Sequence, residues 1–213
     1  MISSTPMPTS RIDRRRFLAG AGALALSVAL PVALIPRMAE AMTQAQARAL
    51  IDQVMRDVHQ IINSGRAEAQ MFGDFERLFQ RYGDIPVIAR SALGPPARSA
   101  SAAQMNAFTE AFRGYMARKY GRQFRSFIGA TVEVTGARPV QQYWEVISVM
   151  SMRGEPPFEL RWHVSDRSGA RRFFNLIIEG VNLLAAERQE IGAMLERRGG
   201  DLDRLIADLR RAG

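Results

Sequence analysis

The chain of 213 residues contains no cysteine and only two histidines, His59 and His163. Without cysteine there are no disulfide bonds, so packing alone must hold the fold together. Zinc and iron–sulfur centres depend on cysteine and histidine ligands, so neither kind of centre is expected. His163 alternates with apolar neighbours on the polar side of a predicted strand, beside Arg161, and we expect it to be solvated or hydrogen-bonded there rather than to act as a base.

Sequence signatures of catalysis are also scarce. No G-x-S-x-G nucleophile elbow occurs, and Gly129, Gly136 and Gly154 do not form a phosphate loop. Asp84 is interpreted as a helix cap and Glu179 as an isolated acid at a strand end. The formal net charge is +8, but no nucleic-acid-binding motif accompanies it. The basic surface is therefore expected to face solvent or anionic lipid, with no nucleic-acid partner.

The N-terminal segment has the three parts of an export signal. An R-R-R-F-L run begins at Arg14, residues 18–35 carry no charge, and an A-x-A cleavage pattern ends at Ala41. The arginine run followed by Phe-Leu resembles a twin-arginine signal. An uncleaved membrane anchor is the alternative, but two prolines interrupt a stretch that is barely long enough to span a bilayer. We predict a cleaved signal in residues 1–41 and one mature domain in residues 42–213.

The first half of the mature part has helical periodicity. Thr43 with Gln46, and Ser101 with Gln104, each form a capping box before a run of apolar residues at helical spacing. Gly94 and two following prolines end another helical segment. Helices are predicted over residues 44–62, 66–82, 84–93, 102–120 and 182–197, with a last one behind Asp201.

The second half alternates between strands and turns. Strands are predicted near residues 131–135, 143–152, 158–164 and 172–178, and the breaks between them are rich in Gly, Pro and Asp. Such short connections indicate an antiparallel meander. Three of the strands have large apolar side chains on both faces, which predicts that helices cover both sides of the sheet. The sequence thus predicts an α+β domain with a four-stranded antiparallel sheet and a helical lobe.

A dispersed pattern in the mature part resembles a known family. Asn175–Leu184 reads N-L-I-I-E-G-V-N-L-L and is followed by Arg188, a Gly-Gly turn and an L-I-A-D-L run that ends at Leu209. Upstream, Tyr82-Gly83-Asp84 and Ala92-Leu93-Gly94 match the family's aromatic-x-D and L-G positions. These features are similar to those of the MlaC family, also called toluene-tolerance auxiliary proteins. Three positions depart from its pattern: Asn175 replaces Asp, Asn182 replaces Ser, and Pro95-Pro96 replaces a Trp.

The resemblance implies a fold, a ligand and partners. Members of the family are periplasmic phospholipid carriers that perform no covalent chemistry. They exchange lipid with an inner-membrane ABC transporter and with an outer-membrane lipoprotein–porin complex. Their curved antiparallel sheet is cystatin-like or NTF2-like, acyl chains lie between the sheet and the helical lobe, and the headgroup lies near the mouth. Bound phospholipid is then the ligand, and no cofactor is expected.

Cavity-lining residues are expected on the long helix of the lobe and on one face of each of three strands. The candidates are Phe108, Phe112, Tyr115 and Met116 from the helix, Trp144, Val146 and Met150, Leu160, Trp162 and Val164, and Phe174, Leu176 and Ile178 from the strands. Aromatic and Met side chains suit an adaptable apolar wall.

Several assignments stay open at this point. Arg188 either pairs with an acid such as Glu179 or meets a lipid phosphate. Two functions outside the carrier class remain: an enzyme on the same scaffold, with Tyr115 or Tyr143 facing a cavity, and an adaptor without a ligand. Basic residues are candidates for transient docking on membrane complexes, namely Arg66, Arg118, Lys119, Arg122 and Arg125.

Replacing Arg14, Arg15 and Arg16 by Lys tests the export signal. Lys keeps the charge but lacks the guanidinium fork, so the variant should stay in the cytoplasm at its precursor length. Cell fractionation followed by intact-mass measurement reads out both properties. Undiminished appearance of the variant in the periplasm would exclude the twin-arginine route and favour a general secretory signal.

Overall fold

Six helices and five strands form the part of the chain that this computed structural model describes, residues 41–212. The predicted signal lies outside the described residues, apart from Ala41. The helices are α1 (Gln44–Ile62), α2 (Glu68–Tyr82), α3 (Ile85–Leu93), α4 (Ala102–Phe124), α5 (Leu183–Arg197) and α6 (Leu202–Arg211). The strands are β1 (Thr131–Val140), β2 (Tyr143–Ser151), β3 (Phe158–Ser165), β4 (Arg172–Ile178) and β5 (Val181–Asn182).

The capping chemistry largely follows the sequence prediction. Thr43 forms a capping box with Gln46 at the start of α1, and Ser101 forms one with Gln104 before α4. Asp201 caps α6 through its side chain. Asp84, which we expected to cap α3, makes no such bond. The second helical position there is a proline, which has no N–H to donate to the carboxylate.

The sheet is an antiparallel meander in the order β1-β2-β3-β4-β5. The meander was predicted, but the strand count of four was wrong, because Val181 and Asn182 add a short edge strand. Val146, Trp162 and Leu176 face one another across three strands, and the side that carries them is called the inner face. The opposite face exposes Glu159 and Arg161 on β3, so helices leave this part of the opposite face uncovered.

A β-bulge between His163 and Val164 changes the pairing of β3 with β4. Beyond the bulge, Val164 pairs with Phe173 rather than with Phe174. The Phe173 ring meets Trp162 edge-on at 5.6 Å, on the inner face. The Phe174 ring instead contacts His163, at 5.7 Å between centroids. The bulge therefore takes Phe174 out of the strict alternation that places Leu176 and Ile178 on the inner face, and an apolar–polar pattern does not reveal such a bulge.

The helical lobe is built around α4, which packs between α2 and α6. Phe108 and Phe112 are fully buried in α4 and stack at 5.7 Å. Gly121 permits the close crossing with α2, because a Cβ there would lie 2.6 Å from the Phe72 ring. Helix α1 lies across the edge of the sheet, where Arg48 donates to the Val134 carbonyl at 2.8 Å.

The first described residues are attached to the sheet. Met42 is buried, and its backbone N–H donates to the Asp166 carboxylate at 2.8 Å. Its carbonyl accepts a hydrogen bond of 2.8 Å from Trp144 Nε1. The entry into α1 is therefore fixed by two hydrogen bonds to residues more than one hundred positions away.

Most of the basic residues that we considered for docking are already paired within the molecule. Arg66 lies 2.9 Å from Asp74, and Lys119 bridges Glu187 and Glu190. Arg118 donates to the Leu209 and Ala212 carbonyls, which are orphan acceptors at the end of α6. The side chain of Arg125 is outside what the structure describes. Charge reversal at Arg118 or Lys119 would therefore disturb the fold and cannot report on docking alone.

Replacing Arg118 by Met should destabilise the protein because the last carbonyls of α6 lose charged donors. Hydrogen bonds to charged groups contribute about 1.5–3 kcal/mol, and a loss of that order is expected in urea unfolding. Arg204→Met on α6 is the control. The pair of Arg204 with Asp201 spans 3.2 Å at the surface, where such pairs contribute less than about 1 kcal/mol. Equal losses for the two variants would contradict the capping role of Arg118.

Candidate functional site

A cavity of about 670 Å³ lies between the helical lobe and the inner face of the sheet. This volume is within the range of ligand pockets in proteins, roughly 300–1,000 Å³. The sheet contributes Val132, Met150, Phe158, Leu160, Trp162, Phe173, Phe174, Leu176 and Ile178. The helices contribute Val54, Met55, Val58, Ile62, Leu78, Phe79, Ile85, Ile88, Phe112, Met116, Leu183 and Leu184. The wall is thus formed mainly by apolar and aromatic side chains.

Eight of the thirteen predicted cavity residues belong to this wall. They are Phe112, Met116, Met150, Leu160, Trp162, Phe174, Leu176 and Ile178. The structure brings these side chains to one cavity, although their roles in lipid binding stay predictions. Trp162 also donates from Nε1 to the hydroxyl of Ser148 at 3.1 Å, which fixes the indole against the sheet.

The other five predicted residues lie outside the cavity, for two reasons. Trp144, Val146 and Val164 are on the inner face but at its other end, where Val146 and Val164 are completely buried. Phe108 and Tyr115 are on α4, at positions that turn away from the wall: Phe108 is buried in the lobe, and the Tyr115 hydroxyl donates to Glu190 at 2.6 Å. The inner face is therefore packed at one end and open at the other.

The sequence analysis missed the contribution of α1 to the wall. Val54, Met55, Val58 and Ile62 all come from this helix. Its helical periodicity was recognised, but an apolar stripe predicts only that a face is buried. It does not indicate whether that face meets other side chains or an open space.

Polar residues mark the opening of the cavity. Arg56, His59 and Gln60 on α1, together with Gln123 and Thr131, line the cavity and are exposed to solvent. They form a polar rim around an apolar interior, as expected for a pocket that an amphipathic ligand enters.

A fully buried carboxylate interrupts the apolar wall. Glu187 lines the cavity and is 1% exposed. Its Oε1 accepts hydrogen bonds from Lys119 Nζ, at 2.6 Å, and from the Tyr120 hydroxyl. No sequence pattern predicts this burial, since Glu187 is an ordinary helix residue beside Arg188.

The protonation states of Tyr120 and Lys119 follow from burial and hydrogen bonding. Burial raises the pKa of the Tyr120 phenol, and the hydrogen bond to Glu187 raises it further, so the phenol stays protonated as a donor. Burial alone would lower the pKa of Lys119, but its hydrogen bonds to Glu187 and Glu190 outweigh that effect and raise it. Lys119 is therefore a permanent cation that joins α4 to α5.

Arg188 lies outside the cavity. It is exposed, and a Cβ at Gly94, where φ is +69°, would come within 3.0 Å of Arg188 Nε. Among the ion pairs of the described residues, none joins Arg188 to Glu179, which was the expected structural partner. Arg188 instead covers the turn that ends α3.

His163 has a structural setting on the outer face of the sheet. Its Nε2 lies 3.5 Å from the buried Glu145 carboxylate, and its ring contacts Tyr143 at 4.6 Å between centroids, with the ring planes tilted by 38°. Burial lowers the pKa of His163, and Glu145 offsets this in part. Within residues 41–212 no group of acidic or His side chains is arranged to hold a metal ion. No helix in the same range is long and apolar enough to cross a membrane.

Comparisons with known proteins agree with this architecture. The chain is similar to the solved structure of a phospholipid-binding protein from Ralstonia solanacearum, determined in complex with a phospholipid. The two share 20% sequence identity with a TM-score of 0.65, over 76% of this chain and 98% of the other. At that identity the likeness demonstrates a shared fold. The sequence profile described as MlaC protein matches residues 51–211, and the chain therefore belongs to the MlaC family.

Proposed function

We propose that this protein is a periplasmic phospholipid carrier, which holds acyl chains in the cavity between the sheet and the helical lobe. The observation that carries the proposal is the apolar cavity of about 670 Å³ at one end of the inner face, in a chain that belongs to the MlaC family. The Ralstonia solanacearum protein of the same fold was solved with a phospholipid bound, which supports the choice of ligand.

The energetics of lipid transfer fit such a wall. Burying an acyl chain contributes about 0.8 kcal/mol per CH₂, so a sixteen-carbon chain represents roughly 12 kcal/mol on that scale. This free energy is gained from apolar contact and requires no reactive group. Met116 and Met150 add flexible side chains that adapt to chains of different length.

The cavity favours a carrier over an adaptor without a ligand. An adaptor needs the sheet only to support its helices, so its interior would be filled as it is around Val146 and Val164. A wall of apolar side chains around open space has no function in such a protein. In an adaptor, the open space would only remove packing contacts and lower the stability of the fold.

The cavity also favours a carrier over an enzyme. Neither Tyr115 nor Tyr143, the tyrosines considered for proton transfer, lines it. Tyr120 does line it, but its raised pKa keeps the phenol protonated, and its proton is directed at Glu187. A phenol and a carboxylate that satisfy each other are poor candidates for a base that must take a proton from a substrate.

Export and partners complete the proposal. The predicted signal in residues 1–41 would deliver the protein to the periplasm. There it would receive and release lipid at an inner-membrane ABC transporter and at an outer-membrane lipoprotein–porin complex. Family membership supports these partners.

The protein purified without detergent should carry phospholipid, because exposing the apolar wall to water is unfavourable. Native mass spectrometry should detect the bound lipid, and organic extraction should release it unmodified. A wild-type protein that is consistently free of lipid, and that takes up none from vesicles, would exclude the carrier function.

Two carboxylate substitutions on the inner face separate a cavity from a filled core. Leu176 lines the cavity, so Leu176→Glu places its charge where water enters, and the variant should fold but lose lipid. Val146 is 0% exposed and outside the cavity. Val146→Glu should therefore cost several kcal/mol, a large part of the usual 5–15 kcal/mol of stability.

Thermal unfolding and lipid loading measure both effects. Leu176→Met is the matched control and should retain both stability and lipid, because it conserves volume and polarity. Unfolding of Leu176→Glu to the same extent as Val146→Glu would contradict the assignment of an open cavity at Leu176.

A further inference from the structure

Three large apolar side chains are exposed in the part of the chain that the structure describes. Val87 is 41% exposed, Ile128 is 57% exposed and Val181 is 58% exposed. Single exposed apolar residues are common on proteins, so exposure alone indicates no function. What distinguishes Ile128 and Val181 is their position relative to the cavity.

Ile128 and Val181 lie at the same end of the sheet, on its two opposite edges. Ile128 closely precedes the first residue of β1, Thr131, which pairs with the last residue of β2, Ser151. Val181 begins β5 and pairs with the last residue of β4, Ile178. In an antiparallel meander these strand termini share one end. Four strand spacings of about 4.8 Å separate β1 from β5 along the sheet.

The cavity opens at this same end, which is called the open end of the sheet. Thr131, an exposed residue of the polar rim, is the first residue of β1. Helix α1 runs toward the open end: Gln44 at its start donates to the Ala137 carbonyl at 2.7 Å, and the rim residue His59 is in its last turn. Val164, near the other end of β3, is completely buried. The opening and the two exposed side chains therefore belong to one end of the sheet.

Ile128 is located in a tight turn that continues the cavity wall. The Ala130 N–H donates to the Phe127 carbonyl at 2.9 Å, and both residues line the cavity. Gly129 has a φ of +81°, and a Cβ there would meet no atom within 4 Å, so the turn projects into solvent. The sequence has no charged residue from position 126 to position 132. The apolar wall thus extends, without an intervening charge, to an exposed side chain.

Val181 has the same relation to the wall at the other edge of the sheet. Ile178 before it and Leu183 after it both line the cavity. The hairpin between β4 and β5 turns at Gly180, where φ is +82° and a Cβ would likewise meet no atom within 4 Å. Each edge of the open end therefore presents one exposed apolar side chain beside the cavity wall.

We propose that the open end of the sheet rests on a phospholipid bilayer, with Ile128 and Val181 inserted beside the opening. This inference rests on the proposed carrier function. Lipid then passes between the bilayer and the cavity along apolar surface, without exposing its chains to water. The exposed side chains of the polar rim all carry N–H or O–H donors for the phosphate oxygens of headgroups, namely Arg56, His59, Gln60, Gln123 and Thr131.

A bilayer fits this surface better than a protein partner does. A protein interface has an apolar core enclosed by a polar rim, whereas here the two apolar side chains are separated by the mouth of a cavity. A protein would leave that mouth empty, but a bilayer fills it with the chains of the lipid that is being transferred. Apolar side chains beside polar ones are typical of elements that lie in the bilayer interface.

Fluorescent labels at single cysteines test the contact directly, since the chain contains no cysteine of its own. In the lipid-loaded protein, Ile128→Cys and Val181→Cys carry an environment-sensitive fluorophore, and Val87→Cys carries it as the control. Val87 belongs to α3, which begins at the other end of β4, where the Asp84 N–H donates to the Phe173 carbonyl at 2.8 Å. Protein-free phosphatidylcholine vesicles should shift the emission of the first two labels to the blue and reduce their quenching by iodide roughly threefold. The label at position 87 should not respond.

A double variant with Ile128→Ser and Val181→Ser tests whether lipid transfer uses the contact. Both side chains are more than half exposed and neither lines the cavity, so the fold and the amount of bound lipid should be retained. Transfer of phospholipid from the loaded protein to protein-free vesicles should slow roughly tenfold, which corresponds to about 1.4 kcal/mol, because less apolar surface is buried at the bilayer. Val87→Ser should transfer lipid at the wild-type rate.

The outcomes separate this inference from the proposed function. Lipid bound to the wild-type protein reports on the carrier function, whereas the labels and the transfer rates report on the bilayer contact. Labels that respond equally at all three positions or not at all, or a wild-type transfer rate in the double variant, would overturn the inference and leave the carrier function intact. Slower transfer only to membranes that contain their own proteins would assign the two side chains to a protein partner and also overturn it. A wild-type protein that never holds lipid would overturn both.

Discussion

The apolar inner face of the sheet must be kept from water along its whole length, and the rest of the structure depends on how this is achieved. At one end, Val146 and Val164 are completely buried among the side chains of the lobe. At the other end, around Leu160 and Leu176, the helices stand away from the strands and leave a cavity. The same face thus serves as a core and as a binding surface. The packed end gives the stability that allows the other end to remain unfilled.

Polar contacts help to fix the position of α4 beside the cavity. Lys119 joins α4 to α5 through two carboxylates, and Arg118 joins α4 to the end of α6. These contacts fix the position of α4 without filling the cavity that α4 helps to line. A ligand that binds the folded state alone adds its binding free energy to this framework. The lipid-loaded protein is then more stable than the empty one.

Local chemistry made most of the fold predictable from the sequence. The capping boxes at Thr43 and Ser101 fixed the starts of α1 and α4, and the turn residues separated the strands of the meander. Capping boxes and turn residues each depend on only a few neighbouring residues, so they can be recognised in the sequence. The bulge at His163 has no such signature, because both Phe173 and Phe174 suit either face of a strand. This one irregularity shifted Phe174 out of the predicted alternation, although Phe174 still lines the cavity.

The cavity was less predictable than the fold. Side chains that line an open space and side chains that fill a core follow the same pattern of apolar spacing, so Trp144 and Val146 were as good candidates as Leu160. Only the arrangement of the helices in three dimensions separates them. Glu187 was missed for a related reason: a single acid in a helix usually faces solvent, and its burial depends on Lys119 and Tyr120, which lie almost seventy residues earlier in the chain.

The attachment of Met42 to the sheet has a consequence for the processing of the precursor. In the precursor the Met42 nitrogen is an amide, which donates to Asp166 as a neutral group. Cleavage after Ala41 would convert this nitrogen into an α-ammonium group facing the same carboxylate. A neutral hydrogen bond would thereby become an ion pair, which is shorter and stronger. Removal of the predicted signal would then strengthen the attachment of α1 to the sheet, and with it one wall of the cavity.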